Sequence, residues 1–474
     1  MHGWLPPWVP AASSDRIDGA LLVLLLFGLT MVGVACARSL LHPPARGLHR
    51  RGARIVRRRR WGRVRLMMND MRDGRLQLAG IAIPPTDEVK HFKIIGTTGT
   101  GKSTAIRELL AQALLRGDRA VISDPDGAYA RRFVGRHCGD MILNPFEPES
   151  LRWDLYGEIR DPYDIEQLAS ALIPSSADPA AQEWRGYART FVSALLRRSC
   201  VDGGGDTAEL WRLLTVASIE ELRTLLAATP AQPFLEPDNV RMFASIRSVA
   251  VSAMAALEYI LAQRAAPFSV RAWIRKGRGA LFVPYRAGQI AALRSIIAAW
   301  IRLAIVEAMN QPEQHDQRLW FVVDELDALG QIDGLKDALA RLRKFGGRCI
   351  LGFQSVAQVS STYGHGDAQT IVENCTNTVI LRCSGSEQGG TSQFASRLIG
   401  EREVMRRQRS RGHDRDGLFS ARGTRRSSQV SEQQVIESAV LASEIEQLPD
   451  LAGYFKSASS PGWARIQLRP AADR

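Results

Sequence analysis

Lysine is scarce in this sequence. Seven lysines stand among 62 basic residues in a chain of 474, so a lysine fixed inside a motif is not the by-product of a lysine-rich surface. Cysteine is thin as well. The six, at 36, 138, 200, 349, 375 and 383, show no Cys-x-x-Cys spacing and no histidines in ligand register. That pattern argues against zinc and against a disulfide framework, and fits a reducing compartment. The composition also lacks the polar bias of a disordered tail: 45% apolar content over 474 residues can bury a large core in two or three domains. Acidic residues are missing altogether from Arg38 to Arg65, where eleven arginines fall, four of them in the run RRRR at 57–60. Removing those eleven from the formal charge of +13 leaves the rest of the chain at +2, so the basic character belongs mainly to one segment.

Long apolar runs are limited to one strong example. GALLVLLLFGLTMVGVACA, residues 19–37, is uncharged, and at about 1.5 Å per residue it reaches roughly the 30 Å of a bilayer core. The arginines follow the run and only Arg16 precedes it, which is the reverse of a signal peptide. The reading is a transmembrane helix over 19–37 with residues 1–18 outside. Residues 38–65 form a basic juxtamembrane segment on anionic inner-membrane lipid, and the bulk of the chain is cytoplasmic.

From residue 66 onward strand and helix alternate. FKII at 92–95 is a short apolar run before a glycine, and the helix after it places Ile106, Leu109, Leu110, Ala113 and Leu114 on one face before Gly117. RAVIS at 119–123 is the next strand. Between 156 and 266 helical periodicity dominates, and strands return at ALFVPY, LWFVVDE, RCILGFQS and TVILRC. The expected architecture is α/β with a parallel sheet. A nucleotide-binding domain occupies 66–155 and 267–474, interrupted by an all-α insertion over 156–266. Residues 402–428, rich in arginine and without apolar periodicity, are expected as a mobile basic loop.

The scarce lysine marks the chemistry. Gly96, Thr97, Thr98, Gly99, Thr100, Gly101, Lys102 and Ser103 follow a strand and, with Thr104, open a helix, the context that a phosphate-binding loop requires. Glycines let backbone N–H groups converge on phosphate oxygens, and the helix N-terminus adds its positive end. Lys102 is expected to reach the β and γ phosphates of ATP and Ser103 to hold Mg²⁺. LWFVVDELDALG supplies the carboxylates. Asp324 and Glu325 emerge at the C-terminal end of a buried strand, where open α/β sheets bind ligands; either is also a plausible strand-end cap. Asp324 is expected on Mg²⁺ through water and Glu325 as the group that polarises the attacking water. Gln354, ending CILGFQ, is a candidate γ-phosphate sensor. Arg341, Arg343 and Lys344 sit in the last turn of a helix, where cations complement the dipole; the alternative is an arginine acting on a neighbouring subunit's site.

In this order GTTGTGKST, DPDGAYARRF with ILNPFEPES, EWRGYARTFV, FSVRAWI, LWFVVDELDALG, GRCILGFQS and EIEQLPDLAGYFK resemble the conjugative coupling proteins of the TraD/TrwB type. The resemblance runs from about Phe92 to Arg465. It implies a RecA-like nucleotide-binding domain interrupted by a small all-α domain. It also implies a homohexamer on the inner membrane that uses ATP and Mg²⁺ to pass relaxase-bound single-stranded DNA into a type IV secretion channel. By resemblance Lys102 and Ser103 match the phosphate-loop pair, Asp324 and Glu325 the Walker B pair, Gln354 the third motif and Arg343 the trans-acting arginine. The expected activity is that of a DNA-dependent ATPase, with sequence-independent phosphate contacts to the strand it moves. The family usually carries two membrane spans, and one is found here; either a first span precedes the given start or this is a single-pass variant. Two other functions stay open. One is a septal or chromosomal DNA translocase. The other is a relaxase-docking receptor that uses ATP binding as an assembly switch.

Overall fold

The computed structural model describes residues 48–56, 74–135, 139–176, 178–201, 205–313, 318–386, 389–414 and 425–470. The proposed membrane span over 19–37, residues 1–18 and most of the basic stretch 38–65 lie outside the described residues. Among the described residues no helix is long and apolar enough to cross a membrane.

The chain divides into two compact units. The first takes Met1–Gly52 and Glu401–Glu437, the second Ala53–Gly400 and Ser438–Arg474. In the first, β1 (Leu48–Gly52) pairs antiparallel with β10 (Glu401–Asp414), and β11 (Arg425–Ser438) follows in the same three-stranded sheet. Glu403 accepts from Arg50 and Arg51, and Glu437 from Arg402 and Arg406. This corrects the expected mobile loop over 402–428, most of which is built into two long strands. Its lack of apolar periodicity was the wrong criterion, because that signal exists only where one strand face is buried against a core. Here ladder hydrogen bonds and carboxylate-arginine pairs hold the strands instead. Residues 267–474, expected as the second part of the nucleotide-binding domain with a loop at 402–428, are thereby shared between the two units.

The second unit is built on a ten-stranded sheet. Its strands are β2 (Ile55–Val56), β3 (Phe92–Ile95), β4 (Arg119–Pro125), β5 (Met141–Ile142), β6 (Ala280–Tyr285), β7 (Leu319–Val323), β8 (Gly347–Phe353), β9 (Asn377–Ile380), β12 (Ala452–Lys456) and β13 (Trp463–Gln467). Their order is β2-β13-β12-β9-β3-β8-β7-β4-β6-β5. From β9 to β5 every ladder is parallel, and antiparallel pairing appears only where β12 and β13 extend the edge. The central strands are buried on both faces, as parallel strands must be, and period-two alternation sorts their side chains. Ala120, Ile122, Phe282, Trp320, Val322 and Ile350 share one core with helix α1 (Lys102–Leu115) on one face. Val121, Val283, Phe321, Val323 and Leu351 meet α3 (Ile290–Met309) and the other helices on the opposite face.

Every element between Tyr156 and Leu261 is helical. Side-chain caps mark several of the starts: Asp161 with Asp164 forms a capping box, and Asp206 and Ser218 accept from the backbone N–H groups of Ala208 and Glu221. These helices share one apolar core with a face of the sheet, so contacts do not set them apart as a unit of their own. Where the chain enters and leaves this region, the buried Glu158 carboxylate accepts from Trp153 Nε1 at 2.8 Å and from the backbone N–H groups of Val270 and Arg271 at 2.7 and 2.9 Å. One carboxylate therefore ties the two crossings together.

Charge is also buried at the opposite, N-terminal edge of the sheet. Glu88, fully buried, accepts from Arg116 at 2.8 and 2.9 Å and from Arg348 at 3.2 Å, while Asp118 accepts from Arg116 and from Trp320 Nε1. Inside β3, Lys93 donates to the carbonyls of Val372 and Cys375, the last turn of the helix His365–Asn374, an arrangement that satisfies orphan helix carbonyls with a cation. Burial pushes its amine down from 10.5 to about 8. Between those values the unfolded chain binds a proton that the folded chain does not, so this group's contribution to stability rises with pH across that window. Melting the unaltered chain beside Lys93→Met, from about pH 8 to about pH 10, should show the gap shifting in favour of the unaltered chain as pH rises. A gap that stays constant would mean that Lys93 stays charged in the folded chain as it is in the unfolded one, with its pKa not lowered.

Candidate functional site

The C-terminal ends of β3, β7, β4 and β8 converge on one site. β3 stops at Ile95, and the loop Gly96–Gly101 leads directly into α1. Thr97 N–H donates to the Arg382 carbonyl at 2.9 Å and Thr100 Oγ1 to the Thr97 carbonyl at 2.7 Å. Gly101 caps α1 with φ at +112°, a left-handed conformation that only glycine adopts freely, and a Cβ there would lie 2.8 Å from Leu451 Cδ2. The turn is thus held by its neighbours as well as by its own glycines.

Lys102 is buried and folds back under the loop, where Nζ donates to the carbonyls of Gly96 at 2.8 Å and Thr97 at 3.2 Å. Burial lowers its pKa, and the charges of Asp324 and Glu325 oppose that shift. One residue on, Ser103 Oγ donates to Asp324 Oδ2 at 2.7 Å. The hydroxyl of Tyr129 donates to the same oxygen at 2.7 Å, while Asp324 Oδ1 is buried with no partner. Glu325, half-buried beside it, has its carboxyl raised by desolvation and then by the Asp324 charge. Gln354 follows the last residue of β8, and its Oε1 accepts from Thr98 Oγ1 at 3.1 Å. The structure therefore brings Lys102, Ser103, Asp324, Glu325 and Gln354 together around one loop.

Arg343 is elsewhere. It is exposed on the short helix Leu342–Phe345 that precedes β8, at the N-terminal edge of the sheet. β8 has seven residues, so at about 3.3 Å per residue its two ends stand roughly 20 Å apart. With Lys344, Arg318 and Arg348, Arg343 lines a cavity of about 440 Å³ floored by Pro85, Thr86 and Val89. Within its own chain Arg343 does not reach the loop.

Two residues that sequence reasoning did not assign stand in the site. Asp124, fully buried near the end of β4, accepts from the backbone N–H groups of Tyr129 at 2.9 Å and Ala130 at 2.6 Å, which fixes the start of α2 (Ala128–Phe133). Burial pushes its carboxyl up to about 6 against those two bonds. Tyr129 is the other. The signal for both was DPDGAY, an acid followed by a glycine turn at a strand end.

Among the described residues no group of three His, Cys, Asp or Glu side chains is placed to hold a metal ion. A cation here would take one hydroxyl, one carboxylate and phosphate oxygens, the donor set that suits Mg²⁺. A phosphate loop between strand and helix, with carboxylates at the C-terminal end of a parallel strand, defines the class of phosphate-loop α/β proteins. Within that class, residues 75–469 match the family model described as the type IV secretion-system coupling protein DNA-binding domain, and the chain belongs to this family. It is 32% identical to coupling protein TraD of Escherichia coli K12 over 406 residues, which is 82% of this chain and 54% of that one. It is 20% identical over 364 residues to the conjugal transfer protein TraG of Escherichia coli, 67% of this chain and 56% of that one. The chain thus spans about half the length of the curated relatives it matches. Solved structures of the bacterial conjugative coupling protein TrwB superpose with a TM-score of 0.76 at 30% identity, covering 90% of this chain and 95% of theirs. They include one unbound form, one complex with the non-hydrolysable ATP analogue ADPNP and one with ADP and Mg²⁺.

β8 passes so near the Asp324 backbone that a Cβ on Gly352 would lie 2.2 Å from the Asp324 carbonyl oxygen. Backbone cannot yield as a flexible side chain does, so Gly352→Ala should cost about 1–3 kcal/mol in urea unfolding. An unchanged midpoint would mean that the two strands separate freely at this point.

Proposed function

We propose that this chain is the ATP-driven part of a membrane-anchored coupling protein. It hydrolyses ATP in a homohexamer at the inner membrane and drives single-stranded DNA, bound by its relaxase, into a type IV secretion channel. The observation that carries the reading is the contact between Ser103 and Asp324, which joins a phosphate loop to a buried carboxylate strand with one carboxylate oxygen left unpartnered. An unsatisfied buried oxygen of this kind costs about 1–3 kcal/mol or more, and a divalent cation beside it would remove that cost. The family membership and the nucleotide complexes of TrwB support the same reading.

The residues divide the work as follows. The backbone N–H groups of the loop from Gly96 to Gly101, followed by Thr104, receive the phosphates. Lys102 leaves the loop carbonyls to meet the β and γ phosphates. Ser103 and Asp324 hold Mg²⁺, which when bound neutralises charge on the phosphate oxygens. Glu325 polarises the attacking water, and its raised pKa makes it a better proton acceptor than an exposed carboxylate. Gln354, already bonded to Thr98, responds to the γ-phosphate. Arg343, roughly a strand's length from its own loop, serves the site of the adjoining subunit. The all-helical region 156–266 docks the substrate complex, the segment 19–37 anchors the chain in the membrane, and the basic flank 38–65, apart from the strands at 48–52 and 55–56, meets anionic lipid. DNA is held by sequence-independent phosphate contacts.

Turnover by the full chain in detergent, with and without single-stranded DNA, tests this. Lys102→Ala, Glu325→Gln and Arg343→Ala should each abolish DNA-stimulated hydrolysis, the last by about 10³-fold if the guanidinium acts as arginine fingers do. An equimolar mixture of Lys102→Ala and Arg343→Ala chains should regain activity, because mixed interfaces pair an intact loop with an intact arginine. Failure of the mixture to recover, with both variants folded and assembled, would remove the shared site.

A further inference from the structure

None of those roles uses Tyr129, although its ring is buried and its hydroxyl meets the Asp324 carboxylate at 2.7 Å. We infer that Tyr129 is a positioning residue that locks the Asp324 carboxylate in the rotation that receives the divalent cation, an inference resting on the Mg²⁺-nucleotide reading above. The torsion about an aspartate Cβ–Cγ bond is broad and nearly two-fold, so a carboxylate at the end of a strand does not choose its orientation alone. Here two donors on different helices, Ser103 on α1 and Tyr129 on α2, converge on Oδ2 at 2.7 Å each. Oδ1 is left buried and unpartnered.

The two donors differ in what else they can do. The Ser103 hydroxyl gives its hydrogen to Asp324 and keeps lone pairs for a cation. It therefore bonds Asp324 and can ligate at the same time, and its grip on the carboxylate changes when it does. Tyr129 has no second task. Its phenol hydroxyl is a hydrogen-bond donor at neutral pH. Its place is set in turn by Asp124, which accepts the backbone N–H groups of Tyr129 and Ala130. The chain of contacts runs from Asp124 on β4 through the start of α2 to Tyr129, and back to Asp324 beyond the end of β7. It supplies the outer-shell support that ligands of a cation need.

Tyr129→Phe removes one oxygen and keeps the ring. Mn²⁺ serves as the probe, read by electron paramagnetic resonance on the full chain in the presence of ADPNP. The variant should raise the Mn²⁺ half-saturation concentration about tenfold, the lower end of what losing an outer-shell partner does to metal affinity. Binding of ADPNP in EDTA should stay as in the unaltered chain and the melting temperature should fall only by the loss of one hydrogen bond, whereas a merely structural residue would leave the Mn²⁺ titration of the folded variant unmoved. Should the phenylalanine variant not fold, Tyr129→Met, a flexible side chain that adapts to core gaps, gives the same readout. An unchanged Mn²⁺ titration in a folded variant overturns the role of Tyr129 and leaves the nucleotide reading standing. Absence of ADPNP binding by the unaltered chain, with or without metal, overturns the nucleotide reading itself.

Discussion

A parallel strand buried on both faces has room for polar chemistry almost only at its ends, and this constraint organises the molecule. Leu319–Val323 is apolar and buried at every position, so the acids that follow are delivered at the edge of the sheet. The same holds for β4, whose buried core ends in Asp124, and for β3, which ends in the loop. Because the neighbouring strands run in the same direction, their ends gather on one edge. Lys102, Ser103, Asp324, Asp124 and Gln354 meet there although more than two hundred positions separate the first from the last.

The two edges of the sheet carry opposite arrangements. At the C-terminal edge carboxylates outnumber cations, and one oxygen each of Asp324 and Asp327 is left without a partner. At the N-terminal edge arginines surround Glu88 and Asp118, with Arg343 and Lys344 left exposed beside them. Removing one partner from a buried ion pair costs about 3–5 kcal/mol, so Glu88, Arg116 and Arg348 fix the base from which Arg343 projects. β8 joins the two edges directly, with Arg343 just before it and Gln354 just after. In the ring proposed above, that strand would link the arginine assigned to one nucleotide with the glutamine assigned to another.

How much of this was legible in the sequence followed from range. The loop and the pair Asp324–Glu325 were readable because each is a local pattern with its own strand and helix context. The strands FKII and ALFVPY are bounded in the structure where their apolar runs begin and end. Asp124 and Tyr129 were not assigned, since their roles exist only through hydrogen bonds to groups on other elements, and an acid before a glycine turn reads equally well as a plain turn. The segment 402–428 was misread because its strands are held by ladder bonds and charge pairs rather than by an apolar face. Strand order was out of reach for a different reason. β7 and β8 insert between β3 and β4, which are neighbours in sequence, and no local signal announces such an insertion.

The central claim is that the loop and the Ser103–Asp324 pair form one Mg²⁺-nucleotide site completed by a second subunit. An experimental structure of the assembled chain with ADPNP and Mg²⁺ addresses it most directly. The account predicts phosphates on the loop from Gly96 to Ser103, the metal between Ser103 and Asp324, and Arg343 of an adjoining subunit at the γ-phosphate. Nucleotide bound away from the loop, or Arg343 facing solvent in every subunit of a closed ring, would contradict it.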